Sequence, residues 1–402
     1  MEINMSENFY GILYGEKFTD KEQTAYAVAH SLISGRDLLG AAVTPETLSA
    51  FIKKKEFDGL IVSPEFGKAV MPLVSKTSPA ARACGAVDVI LNTADGRLYG
   101  DNTAIPAFSY LLESILPSPI IQKCLILGNG SDAAAVRYVL EQRAKDETSF
   151  VGEIVTVTEK GRNNFLNLSQ HADATLLINT LPTSFELPFF LSELPMLEAV
   201  IDINLSPLSS KLILQAQSLG ISASNGVPMT AARIKAANEL FLGVRADSDI
   251  LPPVISAINS RLMTVTLLSP DESLAKAVAP MLGEALGKKS FDIASVIEKL
   301  YTKTIDEIKA LSGPRSNEFD RSLRVAVSWA AKRNGCIICA PAEIAEKPEY
   351  RDMLAANGPI IGIVKPEETA EQLDGFCDIL VQIPSAAHAE IAVEAIRAEL
   401  QI

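Results

Sequence analysis

One stretch constrains the fold of this chain more than any other. The apolar run Lys123-Cys124-Leu125-Ile126-Leu127 passes through Gly128-Asn129-Gly130-Ser131-Asp132-Ala133 into a helical stretch over 134–145. A short apolar run followed by a glycine turn and a helix reads as a buried parallel strand feeding its crossover helix. Glycines let the backbone turn tightly and approach a ligand closely, and the first amides of the helix face whatever rests on the turn. Strand, glycine turn and helix in that order form the context a dinucleotide fingerprint requires. Further strands over 154–158, 174–179, 199–203 and 220–223 extend this unit into a doubly wound parallel sheet.

The same alternation precedes and follows it. Strands are expected over 10–14, 39–43 and 59–63, with helices over 21–32 and 45–55. Thr44 caps the second helix and Pro45 opens it. This pattern implies parallel strands joined by crossover helices. The pair Pro252-Pro253 reads as a break, so a linker is expected over 251–262. Beyond it come strands over 262–268, 336–340 and 359–364 and helices over 272–286, 322–333 and 387–400. A chain of 402 residues exceeds one compact core. The organisation expected is therefore three α/β units over 1–103, 104–250 and 263–402, with a helix over 229–243 packing back on the first.

Charge and cysteine usage narrow the function classes. Hydrophobic residues make up 48% and charged residues 21%, a globular balance. A formal charge of -13 repels a phosphate backbone, so nucleic acid is not expected as a partner. The N-terminus carries no basic region ahead of an apolar run, and no apolar stretch reaches the ~18 residues that span a bilayer. No membrane association is expected. Cys84, Cys124, Cys336, Cys339 and Cys377 are an odd, scattered set, which fits reduced thiols in the cytoplasm better than a disulfide framework. Cys336-Ile337-Ile338-Cys339 falls in an apolar strand, where residues three apart face opposite sides and cannot share a metal. His30, His171 and His388 lie in helical or helix-adjacent polar settings without ligand partners at metal spacing, so no metal site is expected.

Several motifs occur in one order. They are Ser78-Pro79-Ala80-Ala81-Arg82-Ala83-Cys84-Gly85-Ala86-Val87-Asp88, then Gly100-Asp101-Asn102-Thr103 with Phe108 behind it, then Ile178-Asn179-Thr180-Leu181-Pro182, Asp202 with Pro207, and Asn225-Gly226-Val227-Pro228-Met229. Over residues 8 to about 250 this series resembles the shikimate dehydrogenase family, whose segments read SPEARAIGAVN, GxNTD, INATP, DxxYNP and GxxM. The resemblance implies a shikimate dehydrogenase-like α/β domain followed by a Rossmann-type domain. It also implies reduction of a cyclohexene ketone by a nicotinamide hydride, with a Lys and an Asp as the acid/base pair, and a shikimate-like small molecule as ligand.

At the chemical positions the chain departs from that pattern. Proton transfer needs titratable groups within hydrogen-bond reach of the reacting oxygen. The aligned lysine position is Gly67, with Lys68 one residue later, and the aligned aspartate position is Ala104. Lys68 serves if the loop Pro64-Glu65-Phe66-Gly67 bulges by one residue, and otherwise is a solvated lysine of the next helix. A methyl group transfers no proton, so the pair is broken at Ala104. The family's serine pair, which holds the substrate carboxylate, is replaced by Gly15-Glu16-Lys17-Phe18-Thr19-Asp20, and a Glu facing a carboxylate is repulsive. Asn102 and Thr103 remain as hydroxyl-binding candidates. Arg233 stands where the family has a glutamine, and either pairs with an anion or caps a surface.

The cofactor site is intermediate. Gly128, Asn129, Gly130 and Ser131 supply the turn, while Asp132 places a carboxylate where it competes with phosphate for the helix amides. The family's NRT reads Thr158-Glu159-Lys160, so an acid replaces the arginine that would clasp a 2′-phosphate. Glu159 suits a ribose diol, which favours NAD over NADP if either binds, and the alternative is a unit kept only for folding.

From Met263 onward the chain resembles shikimate kinase. Leu268-Ser269-Pro270-Asp271-Glu272-Ser273-Leu274-Ala275-Lys276 occupies the place of GxxGxGKS, with no glycine and two acids where phosphates would sit. Phe291-Asp292-Ile293-Ala294 keeps one acid of FxDxD, and Asp292 alone reads as a helix cap. Glu318-Phe319-Asp320 resembles EFR with an acid for the arginine. The resemblance implies a P-loop-kinase-like α/β domain that has lost ATP binding. Taken together, these losses favour a catalytically degenerate pseudoenzyme that senses, regulates or scaffolds, alone, as a homodimer or with pathway enzymes. The alternatives are an active NAD(P)-dependent shikimate or quinate dehydrogenase using Lys68, and a structural protein without ligand.

Overall fold

The computed structural model describes residues 9–116, 120–147, 149–311, 317–366 and 373–401. Two units emerge from its internal contacts: the described residues to Ser206 with Leu212–Asn259, and Pro207–Lys211 with Ser260 onward.

The first unit begins with β1 (Tyr10–Tyr14), α1 (Asp20–Ser34), β2 (Leu39–Ala42), α2 (Pro45–Lys54), β3 (Gly59–Val62), α3 (Gly67–Val70), β4 (Lys76–Thr77), α4 (Pro79–Cys84), β5 (Val89–Asn92) and β6 (Leu98–Asp101). Local sequence sets the helix starts. Thr19 accepts from the Glu22 amide and the Glu22 carboxylate accepts the Thr19 amide at 2.7 Å, a reciprocal cap on α1. Thr44 and Pro45 open α2 as the sequence predicts. The six strands are ordered β2-β1-β3-β5-β6-β4. β1, β2 and β3 are parallel, but β5 runs antiparallel to both β3 and β6, so the sheet is mixed rather than wholly parallel. The second of these reversals is set by the link between β5 and β6. The turn through Thr93, Asp95 and Gly96 is too short for a crossover, so only a hairpin closes it. Leu13, Leu60, Ile52, Val87 and Ile90 fill the core of this sheet.

Next come α5 (Ala104–Ile115), β7 (Ile120–Leu127), α6 (Ser131–Arg143), β8 (Phe150–Val157), β9 (Leu176–Asn179), β10 (Ala199–Asp202), α7 (Lys211–Ser218), β11 (Ser222–Ser224) and α8 (Val227–Leu242). The second sheet, β11-β10-β9-β7-β8, is parallel throughout. Its central strands are buried on both faces, which is why they read as continuous apolar runs rather than alternating ones. α8 packs against α1 and α5, and Phe241 near its end stacks on Tyr10 of β1 at 5.0 Å. The returning helix therefore ties the second sheet's last strand to the first sheet.

The stretch expected to be a linker is instead a helix, α9 (Leu251–Leu262). Pro252 and Pro253 fall in its first turn, where the missing amide hydrogens cost no intrahelical bond. After it come β12 (Val265–Ser269), α10 (Glu272–Ala285), β13 (Lys289–Asp292), α11 (Ile293–Tyr301), α12 (Ile305–Leu311), α13 (Glu318–Ala331), β14 (Cys336–Pro341), α14 (Pro348–Ala355), β15 (Ile360–Val364), β16 (Ile379–Gln382) and α15 (Ala389–Leu400). This third sheet is parallel in the order β13-β14-β12-β15-β16, with Val265, Leu267, Val278 and Ile361 in its core. Cys336 and Cys339 are free thiols buried within β14. No described helix is long and apolar enough to cross a membrane.

Candidate functional site

The carboxyl ends of parallel strands are where an α/β sheet presents its ligands. β7 and β8 are parallel neighbours, so Gly128 to Ser131 and Glu159 stand at one edge of the second sheet. Gly128 has φ +102°, and a Cβ there would lie 2.7 Å from the Thr180 hydroxyl, so only glycine fits. Gly130 is the N-cap residue of α6, Asn129 and Gly130 are exposed, and Glu159 is exposed beyond β8. The neighbouring loops are tied to this edge. Asp202 accepts from Asn179 at 3.1 Å and from the Asn204 side chain at 2.7 Å, and Asn204 in turn donates to the Leu181 carbonyl at 2.8 Å. Gly226 opens α8 so close to Ile203 that an added Cβ would sit 2.0 Å from its carbonyl oxygen.

A buried ion cluster joins the elements of the two sheets. The Arg233 guanidinium of α8 donates through Nη1 to Asp88 Oδ2 at 3.2 Å, and through Nη2 to Asp132 Oδ1 in the first turn of α6. Thr103 fixes Asp88 from the other side, its amide donating to Oδ1 at 2.7 Å and its hydroxyl to Oδ2 at 2.9 Å. The Arg233 and Asp88 side chains are only 13% and 12% exposed, so water screens this pairing little. Burial pushes the Asp88 carboxyl up to about 6, although Arg233 and the Thr103 donors pull it back down. Burial opposes the charge on Arg233, yet Asp132, Asp88 and Tyr26 together hold its pKa above the usual arginine range. Tyr26, on α1, is buried beside the cluster, which raises its phenol while Arg233 acts in the opposite sense.

From the sequence, Arg233 stands between an anion partner and a surface cap. It is neither a cap nor open to an outside anion, because the chain's own carboxylates occupy it. Asn102 and Thr103 are buried and hydrogen-bonded within the chain. Asn102 donates to the Ala86 carbonyl at 2.9 Å and accepts the Ala104 amide at 2.9 Å, while Thr103 is committed to Asp88. Ala104 itself is buried at the first turn of α5. Lys68 is exposed on α3. Gly67 is buried, its carbonyl accepting from the Val87 amide at 2.9 Å, and a Cβ on it would lie 3.2 Å from that of Ala86.

Two acids lie near the end of β1. Glu16 is exposed, whereas Glu65 folds back so that its Oε1 accepts the Gly15 amide at 2.9 Å, with the Ser63 hydroxyl 3.5 Å away. The Glu65 carboxylate is therefore held at the end of β1. The readable signal was the parallel neighbourhood of β1 and β3, which sets the ends of both strands side by side. The histidines also differ from their expected polar settings. His30 and His171 are buried, and neither ring has a hydrogen-bond partner. Burial lowers both pKa values, that of His30 to about 4. Among the described residues, no group of three or more His, Cys, Asp or Glu could hold a metal ion.

In the second unit Asp271 occupies the start of α10, accepting the Ser273 amide at 3.0 Å, and Lys365 pairs with it at 2.7 Å. Lys365 and the Ser273 donors together hold the Asp271 carboxyl down at about 2. Asp292 caps α11 as expected, accepting the Ala294 amide at 3.1 Å. A cavity of about 540 Å³ beside this edge is lined by Ser269, Glu272, Glu343 and Glu346.

Comparison with known proteins bears on the first unit. No family-level sequence model matches the chain. A shikimate dehydrogenase (NADP(+)) of Oleidesulfovibrio alaskensis is 30% identical over 246 residues, covering 52% of this chain and 84% of that protein. A quinate/shikimate dehydrogenase (NAD(+)) of Corynebacterium glutamicum is 25% identical over 264 residues, covering 58% of this chain and 93% of that protein. The shikimate 5-dehydrogenase of Thermus thermophilus, solved in complex with NADP(H) and shikimate, superposes with a TM-score of 0.54 at 20% identity, over 63% of this chain and 100% of that one. The fold thus agrees over about three fifths of the chain. With sequence identity and coverage on the same side, this chain belongs to the shikimate dehydrogenase family.

Proposed function

We propose that this chain is a catalytically silent member of its family, a regulator or scaffold whose former reaction cleft is closed by its own ions. The observation that carries this reading is the pairing of Arg233 with both Asp88 and Asp132, elements of the first sheet and of the glycine turn. Supporting it, Ala104 offers no proton, Lys68 stays in solvent, and Glu65 covers the place of a substrate carboxylate. No residue in the cleft then joins an acid/base role to substrate contact. The dinucleotide edge is retained in latent form, since Gly128, Gly130 and the start of α6 keep the required turn. NAD is favoured over NADP by the acid at Glu159.

For residues 263–402 we infer a kinase-like domain without nucleotide function. Its first strand, β12, is central, and the loop behind it meets α10 at the edge where phosphates would rest, but Asp271 and its partner Lys365 fill that position. Five free cysteines support a reducing compartment such as the cytoplasm.

The test is turnover by the full chain. Shikimate and quinate are offered with NAD+ or NADP+ from pH 7 to 10 and reduced nicotinamide is followed by absorbance. The expected result is no rate above the blank. Turnover that disappears in Lys68→Ala would replace this reading with that of an active dehydrogenase.

A further inference from the structure

The structure assigns Arg233 as an anion receptor whose occupant is internal: Asp132 stands where the anionic group of a ligand would be held, and so bars the glycine turn from a dinucleotide. This deepens the latent dinucleotide site proposed above and rests on it.

Three observations bring this together. Arg233 reaches across from α8 and bonds a carboxylate in the first turn of α6, two residues beyond Gly130. A pyrophosphate seated on that turn would meet the Asp132 charge, and like charges at such range repel. Arg233 is meanwhile kept in place by a second carboxylate, Asp88, which Thr103 holds through two hydrogen bonds. Breaking the Asp132 bond therefore does not release Arg233. It leaves a fixed, partly neutralised guanidinium with one face free, which suits a carboxylate of a small ligand. Since Glu65 repels that carboxylate from the end of β1, Arg233 offers it the alternative place.

Reciprocity follows. A dinucleotide that displaces Asp132 exposes the face of Arg233, and a carboxylate bound there keeps Asp132 displaced. Each ligand raises the affinity for the other by the same factor. Neither ligand requires chemistry, so the linkage is consistent with a silent enzyme that reports on two metabolite classes at once.

Calorimetry on the full chain tests this with NADH as one probe and shikimate as the other. In Asp132→Asn the internal charge is gone, and NADH should bind about tenfold more tightly than in the wild type. Shikimate should tighten NADH by about fivefold or more in the wild type, within the usual span of coupling between sites, and should not do so in Asp132→Asn, where no carboxylate is left to displace. In the double variant Asp132→Asn/Arg233→Gln the NADH gain should persist and the shikimate coupling should remain absent. Asp132→Ser, which keeps a good residue for a first helical turn, must reproduce Asp132→Asn, so a folding defect in one variant does not decide the matter. NADH affinity within twofold of wild type in both single variants, or shikimate coupling that survives loss of Arg233, overturns the assignment. Either failure leaves the turnover experiment untouched, whereas wild-type turnover would remove the silent reading without bearing on the Asp132 gate.

Discussion

Arg233→Gln removes the cation that Asp88 and Asp132 both contact and leaves two carboxylates in a site where the Asp88 side chain is 12% exposed. Breaking a buried pair by deleting one partner costs about 3–5 kcal/mol, because the remaining charge is uncompensated. For a unit of this size that is a fall of about 10 °C in its melting temperature. Asp88→Asn in the same chain should recover most of the loss. Asparagine carries no charge, and it is the residue that closes the SPEARAIGAVN-like segment in the family, as glutamine is the family's residue at the place of Arg233. The doubly neutral variant Asp88→Asn/Arg233→Gln should lie closer to wild type than Arg233→Gln alone by at least about 2 kcal/mol, a coupling in the range of residues that share one network.

The pH dependence checks the mechanism independently. The folded carboxyl of Asp88, at about 6, lies above its ordinary 3.8. Between those values the folded state holds a proton that the unfolded state has released, so this group makes stability fall as pH rises through the window. At ~1.36 kcal/mol per pKa unit the gap amounts to about 3 kcal/mol. Without Arg233 the proton is held to still higher pH, so the defect of Arg233→Gln should be large at pH 8 and small at pH 5. Far-UV circular dichroism follows both units, and fluorescence of the sole tryptophan, Trp329 in the second unit, isolates that unit's transition so that the first can be told apart. A defect equal at pH 5 and pH 8, or no rescue by Asp88→Asn, refutes the argument that uncompensated charge is the cause.

Two further perturbations address other parts of the unit. Gly128→Ala should cost about 1–3 kcal/mol by strain at a positive φ, and the Thr180 hydroxyl, which donates to the Leu127 carbonyl at 2.6 Å, is not free to retreat; a melting temperature unchanged from wild type would contradict it. His30 is held near 4, below its ordinary 6.5, so it takes up protons on unfolding and its contribution is lost as pH falls through that range, by about 2 kcal/mol at pH 5. His30→Leu should therefore raise stability more at pH 5 than at pH 8, and an equal change at both would rule out titration of His30.

The architecture was legible because period and punctuation are local properties. Apolar runs, Thr44-Pro45 and the glycine turn at Gly128 each specify their element through neighbours a few residues away, and the strands and helices named from them stand within a few residues of their observed ends. The strands expected over 10–14, 39–43 and 59–63 are parallel as read. The prolines at 252 and 253 read as a break although the first helical turn accepts them, so their position relative to an element end decided the outcome. The site was less legible because its partners are far apart in sequence. Asp88 and Arg233 are separated by 145 residues, and Arg233 and Asp132 by 101. No spacing rule reaches that far, and a charged residue at a normally neutral position looks like a surface change until its partner is known.

The charge changes at 88 and 233 are better understood as one event than as two. An Asp alone at position 88 would carry the cost of an uncompensated buried carboxylate, and an Arg alone at 233 that of an uncompensated buried guanidinium. Together they neutralise each other, and Thr103 supplies the remaining hydrogen bonds to Asp88. On the reading proposed above, the pair together with Asp132 spans the elements between which a substrate would rest. A cleft selected for hydride transfer is under pressure to stay open and polar toward a ligand. Here Arg233, Asp88, Asp132 and Thr103 satisfy one another, and it is on this geometry that the proposed loss of turnover rests.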